Sequence, residues 1–292
     1  MKEKPFSKYQ ILANAVMIIW TLAIILPFIL LFMSSITDEN TLVANGYSFF
    51  PKKFSLASYS YIIKSGGQIL KAYGVSIGVT VVGTLLNVLL SALMAYPLSV
   101  KNLPGRNVMM FFVFFTMLFN GGIVPSYIMW TGTFHIKDTI FAQLLPNFLL
   151  SAWNVMMIRT YFTTSIPDGL YEAAEIDGAS QFTIFWKIVL PLGKPILVTM
   201  GTFAGLAYWN DWTNGLYYIV KNTGLYNVQN LLNQMVQNIQ FLTQSSNSNV
   251  TAAASTIPAT GIQMAIAFVA ILPIMLIFPS FQKYYAKGIA LG

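Results

Sequence analysis

Groups able to do covalent or metal chemistry are scarce in this chain. Among its 292 residues there is one histidine, His135, no cysteine, and nine Asp plus Glu. The missing cysteine excludes disulfides and thiolate metal sites, and a lone histidine makes no histidine-based cluster. Beside Lys137 and Asp138, His135 reads as a loop residue. A P-loop for nucleotide phosphates needs G-x-x-x-x-G-K-[ST]. The nearest stretch, Gly193-Lys194-Pro195, has proline where the hydroxyl belongs and lacks the first glycine. Two acidic groupings remain. Glu172, Glu175 and Asp177 fall together in "EAAEIDGAS", Glu172 to Ser180, and Asp211 stands alone in "AYWNDWTNGLYYI", residues 207–219.

Asp211 lies within an apolar run, where an ionisable residue costs roughly 2.5–3.5 kcal/mol on insertion scales and marks function by default. Tyr208, Trp209, Asn210, Trp212, Asn214, Tyr217 and Tyr218 surround it. Aromatic faces beside amides and a carboxylate suit a sugar, whose C–H face stacks while its hydroxyls hydrogen-bond. An interfacial aromatic belt accounts for Tyr217 and Tyr218 but not for Asn-Asp between two tryptophans. The expectation is that Tyr208, Trp209, Asn210, Asp211, Trp212 and Asn214 line a substrate pathway or gate. The alternative makes Asp211 a structural partner, to a second subunit for example.

The elements that must position these groups follow from composition. The chain is 56% hydrophobic, 15% aromatic and only 9% charged, against roughly 25% charged in an ordinary soluble domain. So little charge does not cover a water-facing surface, and the chain reads as an all-α, polytopic membrane protein. A span needs roughly 20 mostly apolar residues. Six candidates appear, at about 11–35, 73–98, 107–130, 139–163, 195–220 and 259–282. The first follows Lys2, Lys4 and Lys8, but is too long for a signal peptide and lacks a clear A-x-A site, so it reads as an uncleaved span.

The formal charge of +7 reflects topology rather than nucleic acid. With both termini in the cytoplasm, ten of the 16 Lys and Arg fall inside and six outside, in the sense of the positive-inside rule. Residues 36–72 and 221–258 are then outer loops, 99–106 is a tight inner turn, and 164–194 is cytoplasmic. The second outer loop repeats Leu225, Val228, Leu232, Met235, Ile239 and Leu242 at spacings of three and four, one face of an amphipathic helix docked on protein. The polar run "TQSSNSNVTAAAST" after it reads as a tether. "FNGGIVPSY", Phe119 to Tyr127, breaks the third candidate span and reads as a packing site. Arg159 sits late in the fourth and snorkels to the inner surface.

The cytoplasmic stretch carries its own folding signals. Pro167 suits a first helical turn, and Asp168 and Glu172 lie where the helix dipole favours negative charge. Gly178 suits the left-handed residue that ends a helix, and Ser180 can cap the next one. Phe182, Phe185, Trp186 and Val189 form an apolar stripe before Pro191 and Pro195. The reading is helix, glycine turn, helix. Carboxylates beside small alanines fit a docking element that meets basic groups of a partner.

This pattern, Glu172, Ala173, Ala174, Gly178, Ile188, Leu190 and Pro191, resembles the EAA loop of permease subunits in binding-protein-dependent ABC importers. The six-span plan and the tail "FQKYYAKGIALG" resemble that family over nearly the whole chain, most closely its carbohydrate-uptake branch. The resemblance implies a single transmembrane permease domain over 1–292, with the type I importer fold, in a bacterial cell membrane. It implies that Glu172, Ala173, Ala174, Asp177, Gly178, Ile188, Leu190 and Pro191 form the coupling joint to a cytoplasmic ATPase. ATP and Mg would be used by that ATPase pair, with no cofactor bound by this chain. The other implied partners are a sister permease, giving a heterodimer, and an extracytoplasmic solute-binding protein. The cargo would be a carbohydrate, an oligosaccharide or polysaccharide fragment. The loop at 221–258 could reach the docked binding protein. Two alternatives stay open. A self-sufficient carrier or channel would show inverted repeats and several intramembrane charges. An intramembrane transferase would want clustered acidic metal ligands.

Overall fold

A computed structural model describes residues 8–64, 66–244 and 259–289. The tether proposed for 243–256 lies almost wholly outside them. Among the described residues the chain is helical, apart from one antiparallel bridge between Thr37 and Phe54. Chain contacts divide it into two units.

The first unit holds the described residues of Met1–Ile69 and of Leu232–Pro273. Helix α1, Lys8–Ser35, opens it, and none of its most apolar window is buried within the chain. Bare apolar helix of this length is stable only against lipid or another subunit. The chain then folds back on itself: Asp38 N–H donates to the Lys53 carbonyl (3.0 Å), and Ser55 N–H to that of Ile36 (2.9 Å). Two short helices follow, α2 at Glu39–Asn45 and α3 at Ala57–Lys64. Glu39 reaches the last helix of the chain. Its Oε1 accepts the Thr260 N–H (2.9 Å) and its Oε2 that of Gly261 (2.8 Å). A carboxylate thus satisfies the first free amides of that helix, where the dipole also favours negative charge.

The second unit holds Leu70–Leu231 and the described residues of Ile274–Gly292. Helix α4, Gly66–Ser99, is its longest element. Helices α5, Arg106–Leu118, and α6, Ile123–Ile128, follow, the latter continuing as a π-turn over Met129–Thr133. They bend by 109° at the Phe119–Gly122 break. Next come α7, Phe141–Leu144, α8, Ala152–Ser165, and α9, Asp168–Ile176. Helix α10, Gln181–Ile184, runs through a π-turn at Phe185–Val189 into α11, Leu190–Leu192. Helix α12, Lys194–Asn210, leaves that rod at 78°. Helix α13, Thr213–Tyr218, comes next, followed by α14, Val228–Gln244, which belongs to the first unit from Leu232 on, and α15, Ala259–Ile289, which belongs to it up to Pro273.

Among the described residues, three helices are long and apolar enough to cross a membrane, or up to five if each bent pair counts as one span. The segment expected as the fourth span is not one helix. Between α7 and α8 the backbone turns at Pro146 and Asn147, the latter at φ +67°. Proline carries no amide hydrogen to continue the ladder. An apolar count over 139–163 does not see that break.

Helix packing in the second unit uses small residues. Ala92 and Ala95 of α4 are fully buried. A Cβ on Gly201 of α12 would meet the Val88 methyl at 3.3 Å, and one on Gly205 would meet the Thr84 hydroxyl at 3.3 Å. Glycines four apart bring two backbones close, which is how helices gain dispersion energy where lipid removes the hydrophobic drive. At the α9 end of the unit, Tyr96, Phe162, Ile184, Phe185 and Val189 form one core with Ala174.

Candidate functional site

The 167–192 segment folds as helix, turn and helix. Helix α9 starts at Asp168, with Pro167 one place before it, in extended conformation. Its end is a Schellman motif: Ala179 N–H donates to the Ala174 carbonyl (2.9 Å) and Gly178 N–H to that of Glu175 (3.0 Å). Gly178 sits at φ +73°, where a side chain would be strained. The Ser180 hydroxyl accepts the Thr183 N–H (3.2 Å) and starts α10.

Local signals therefore fix the backbone and leave the side chains outward. Glu172, Ala173, Asp177, Gly178 and Pro191 are exposed, Ile188 and Leu190 are half-buried, and Ala174 packs into the core. Ile176 is 86% exposed and Phe182 68%, with Trp186 and Leu170 also open. Large apolar side chains held out on an ordered, turn-locked scaffold are what an interaction surface looks like.

The segment is also tied to its neighbours. Lys101 forms an ion pair with Asp168 at 2.5 Å. The Tyr96 hydroxyl donates to Gln181 Oε1 (2.6 Å), and Gln181 Nε2 donates to Glu175 Oε1 (3.0 Å). Arg159, expected only to snorkel, donates from Nε to the Leu98 carbonyl at 3.1 Å. Burial pushes the Tyr171 phenol above its ordinary range.

The 207–219 stretch is more closed than its composition suggests. Asp211 is 5% exposed. Its Oδ1 accepts the Thr213 N–H (3.0 Å), the Thr213 hydroxyl (2.7 Å) and the Asn214 N–H (3.3 Å), capping α13. Its Oδ2 is buried with no donor among the described residues. The Asn214 amide donates to the Pro146 carbonyl (3.1 Å) and accepts from Asn147 (3.2 Å). Tyr208 donates to the Leu144 carbonyl (2.9 Å). Asn227 donates to the Asp211 carbonyl (2.6 Å) and to Gln143 Oε1 (3.3 Å), and Asn230 donates to the Trp212 carbonyl. Of the six expected pathway residues, Tyr208, Trp209, Asp211 and Asn214 are buried, while Asn210 and Trp212 are exposed.

Sequence reasoning missed Gln143, Asn147, Asn227 and Asn230, because their partners lie far off in the chain. Asp138 was missed too. It is held at φ +58°, and its Oδ1 accepts three successive backbone N–H groups, from Val220 (2.7 Å), Lys221 (2.7 Å) and Asn222 (3.2 Å). The Lys221 N–H foremost, with those of Val220 and Asn222, holds this carboxyl below its ordinary range. In α14, Val228, Leu231 and Leu232 are buried and Gln234 and Gln237 exposed, as the three-four spacing predicts. Leu225 instead lies in the 3-10 turn Thr223–Leu225.

No group of three or more His, Cys, Asp or Glu arranged for a metal exists among the described residues. Residues 72–291 match the family model for the binding-protein-dependent transport system inner membrane component. The chain is 36% identical over 268 residues to Protein LplC of Bacillus subtilis, covering 92% of this chain and 88% of that one. It is 35% identical over 284 residues to the polygalacturonan/rhamnogalacturonan transport system permease protein YtcP of the same organism, covering 97% of each. A solved bacterial ABC transporter involved in the import of the acidic polysaccharide alginate has a chain that superposes with a TM-score of 0.79 at 26% identity. That match covers 97% of this chain and all of the other. The chain belongs to the inner-membrane components of binding-protein-dependent transport systems: it is a multi-pass permease subunit of an ABC importer, not an enzyme.

Proposed function

We propose that this permease carries a carbohydrate, an oligosaccharide or polysaccharide fragment, delivered by an extracytoplasmic solute-binding protein. Six spans, with both termini cytoplasmic, form one permease domain that pairs with a sister subunit. Two cytoplasmic ATPase subunits bind and hydrolyse ATP with Mg. Their closure moves the 167–192 segment, and the attached helices switch from inward- to outward-facing. The polygalacturonan/rhamnogalacturonan permease and the alginate importer that the chain resembles support the substrate class.

The observation that carries the coupling role is a turn-locked segment with Glu172 and Ala173 open beside Ile176, Phe182 and Trp186. Glu172 and Asp177 face the basic groups of the ATPase groove, and Ala173 permits close approach. Gly178 makes the turn between the arms, Ala174, Ile188 and Leu190 seat the segment against the rest of the subunit, and Pro191 stays on its open side. Along the pathway, Asn210 and Trp212 face the cargo. Tyr208, Trp209, Asp211 and Asn214 hold the backbone that presents them.

The test is extraction in mild detergent and co-purification. The wild-type chain brings an ATPase subunit with it; Glu172→Lys reverses the contact charge and Gly178→Pro breaks the turn, and both lose the ATPase. A wild-type chain that purifies alone and still moves solute in liposomes would sink the importer reading in favour of a self-sufficient carrier.

A further inference from the structure

Motion of the cytoplasmic segment has to enter the membrane helices somewhere. Three polar or aromatic links join that segment to α4 and the turn just beyond it, and two of them converge on Tyr96, which is 8% exposed. Its hydroxyl donates to Gln181 Oε1 at 2.6 Å, on the first residue of α10. Its ring stacks near Tyr171 of α9, centroids 6.4 Å apart at 25°, and meets Phe185 at 5.4 Å on the other arm. Gln181 in turn donates to Glu175 Oε1 at 3.0 Å, so one amide bonds both to α4 and across the two arms. The third link, Lys101 to Asp168, is exposed on both sides and contributes little in water.

We propose that Tyr96 is the positioning residue that carries movement of the helix–turn–helix into α4. It rests on the docking reading above. A buried ring in contact with both arms transmits displacement in either direction, because packed interiors yield little to compression. The hydroxyl fixes the direction of Gln181, and Gln181 fixes Glu175. The segment and the end of α4 therefore move as one body, whichever arm the ATPase pushes.

The chain has no cysteine, so this subunit offers no competing labelling site, and it is labelled alone before assembly with its partners. Labels at Asn102→Cys, just beyond α4, and at Lys187→Cys, on the second arm, are both on exposed residues. The distance between them is measured in the assembled complex with its ATPase, nucleotide-free and trapped with MgATP and vanadate. The wild-type background gives one distance, the same in both states. Tyr96→Ala gives a second, longer distance in the trapped state, while Tyr96→Phe, which keeps the ring contacts but loses the bond to Gln181, gives a smaller second population. Gln181→Ala removes both amide bonds from an exposed position without opening the core, and splits the trapped distance even if Tyr96→Ala fails to fold. A distance that changes with nucleotide in the wild-type background overturns the proposal. So does a single constant distance in Tyr96→Ala or Gln181→Ala with the ATPase still bound. Failure of the wild-type chain to retain the ATPase overturns the docking reading itself, and this assignment with it.

Discussion

The 167–192 helix–turn–helix and the asparagine-rich cluster around Asp211 hold most of the polar groups that mattered to the functional reading, and they use them in opposite ways. In the cluster, side chains from Gln143, Asn147, Asp211, Asn214, Asn227 and Asn230 turn inward and bond backbone or one another. Burying a polar group without a partner costs several kcal/mol in an apolar medium, and apart from Asp211 Oδ2 these groups meet one another's needs. In the segment, backbone caps do that work, and Glu172, Asp177, Ile176 and Phe182 are left outward. A closed polar network gives a rigid support. An ordered surface with open apolar and acidic groups is unfinished without a partner.

One substitution made in both places separates the two designs. A Cβ on Gly215 in the cluster would collide with the Asn230 side-chain amide. Gly215→Ala should cost about 1–3 kcal/mol, the scale of overpacking, and displace the amide from the Trp212 carbonyl. Nothing lies within 4 Å of a Cβ on Gly178, yet its φ is +73°. Gly178→Ala should cost about 1 kcal/mol, from backbone conformation alone. Thermal melting in detergent ranks them. A Gly215→Ala protein as stable as wild type would show that the cluster is loose.

Asp211 sharpens the same comparison. If it supports rather than reads a cargo, its contribution lies in Oδ1 and the amides of Thr213 and Asn214. Asp211→Ala then costs about 0.5–2 kcal/mol, as for loss of a helix cap. Asp211→Asn keeps an acceptor in that position and removes a buried negative charge whose second oxygen lacks a donor, so its melting temperature stays close to wild type. Uptake by Asp211→Asn in proteoliposomes should follow its stability. Abolished uptake with normal melting would make the carboxylate part of the pathway after all.

How much of this was legible in the sequence depends on how far apart the partners lie. The turn at Gly178 and the cap at Ser180 were readable, because both act on amides within a few residues. The apolar stripe was only half legible: Phe185 and Val189 are buried, while Phe182 and Trp186 stay exposed. The closed state of the 207–219 stretch was not readable: Gln143 meets Asn227 across 84 residues and Asn214 meets Pro146 across 68. No spacing rule links such positions. Glu39 and Gly261 are further apart still, and an acidic residue that opens a short helix gives no hint of capping a distant one. The break at Pro146-Asn147 was present in the letters but outweighed by the apolar run around it. Gly201 and Gly205 drew no notice in the sequence, because their spacing has meaning only with α4 lying across them.

Asp138 offers a smaller effect that pH can isolate. Its folded carboxyl sits below the ordinary value of 3.8, held first by the Lys221 N–H. A group depressed in the folded state stabilises fully above its unfolded pKa, and loses that contribution as pH falls through the folded value. Asp138→Asn should therefore melt below wild type at neutral pH. The gap should close on acidification to below 3.8. A gap independent of pH would mean that the amides of 220–222 read the side-chain shape and not its charge.

The smallest expected change in stability is at Glu172, and there it is the contrast with binding that matters. Its side chain is exposed, and surface substitutions away from packed features stay within about 0.5 kcal/mol. Glu172→Gln should leave the melting temperature of the isolated permease where it is. If Glu172 docks as proposed, its carboxylate is desolvated against a basic groove, and a hydrogen bond to a charged group contributes about 1.5–3 kcal/mol. The same conservative change should then weaken ATPase retention by roughly ten- to a hundredfold, read by titrating ATPase onto permease in nanodiscs. Unaltered retention would move the contact to Asp177 or to the apolar face at Ile176 and Phe182. Lost retention with lost stability would return Glu172 to the fold. Only unchanged melting with weakened retention fits a residue that the folded subunit leaves free and the assembled transporter uses.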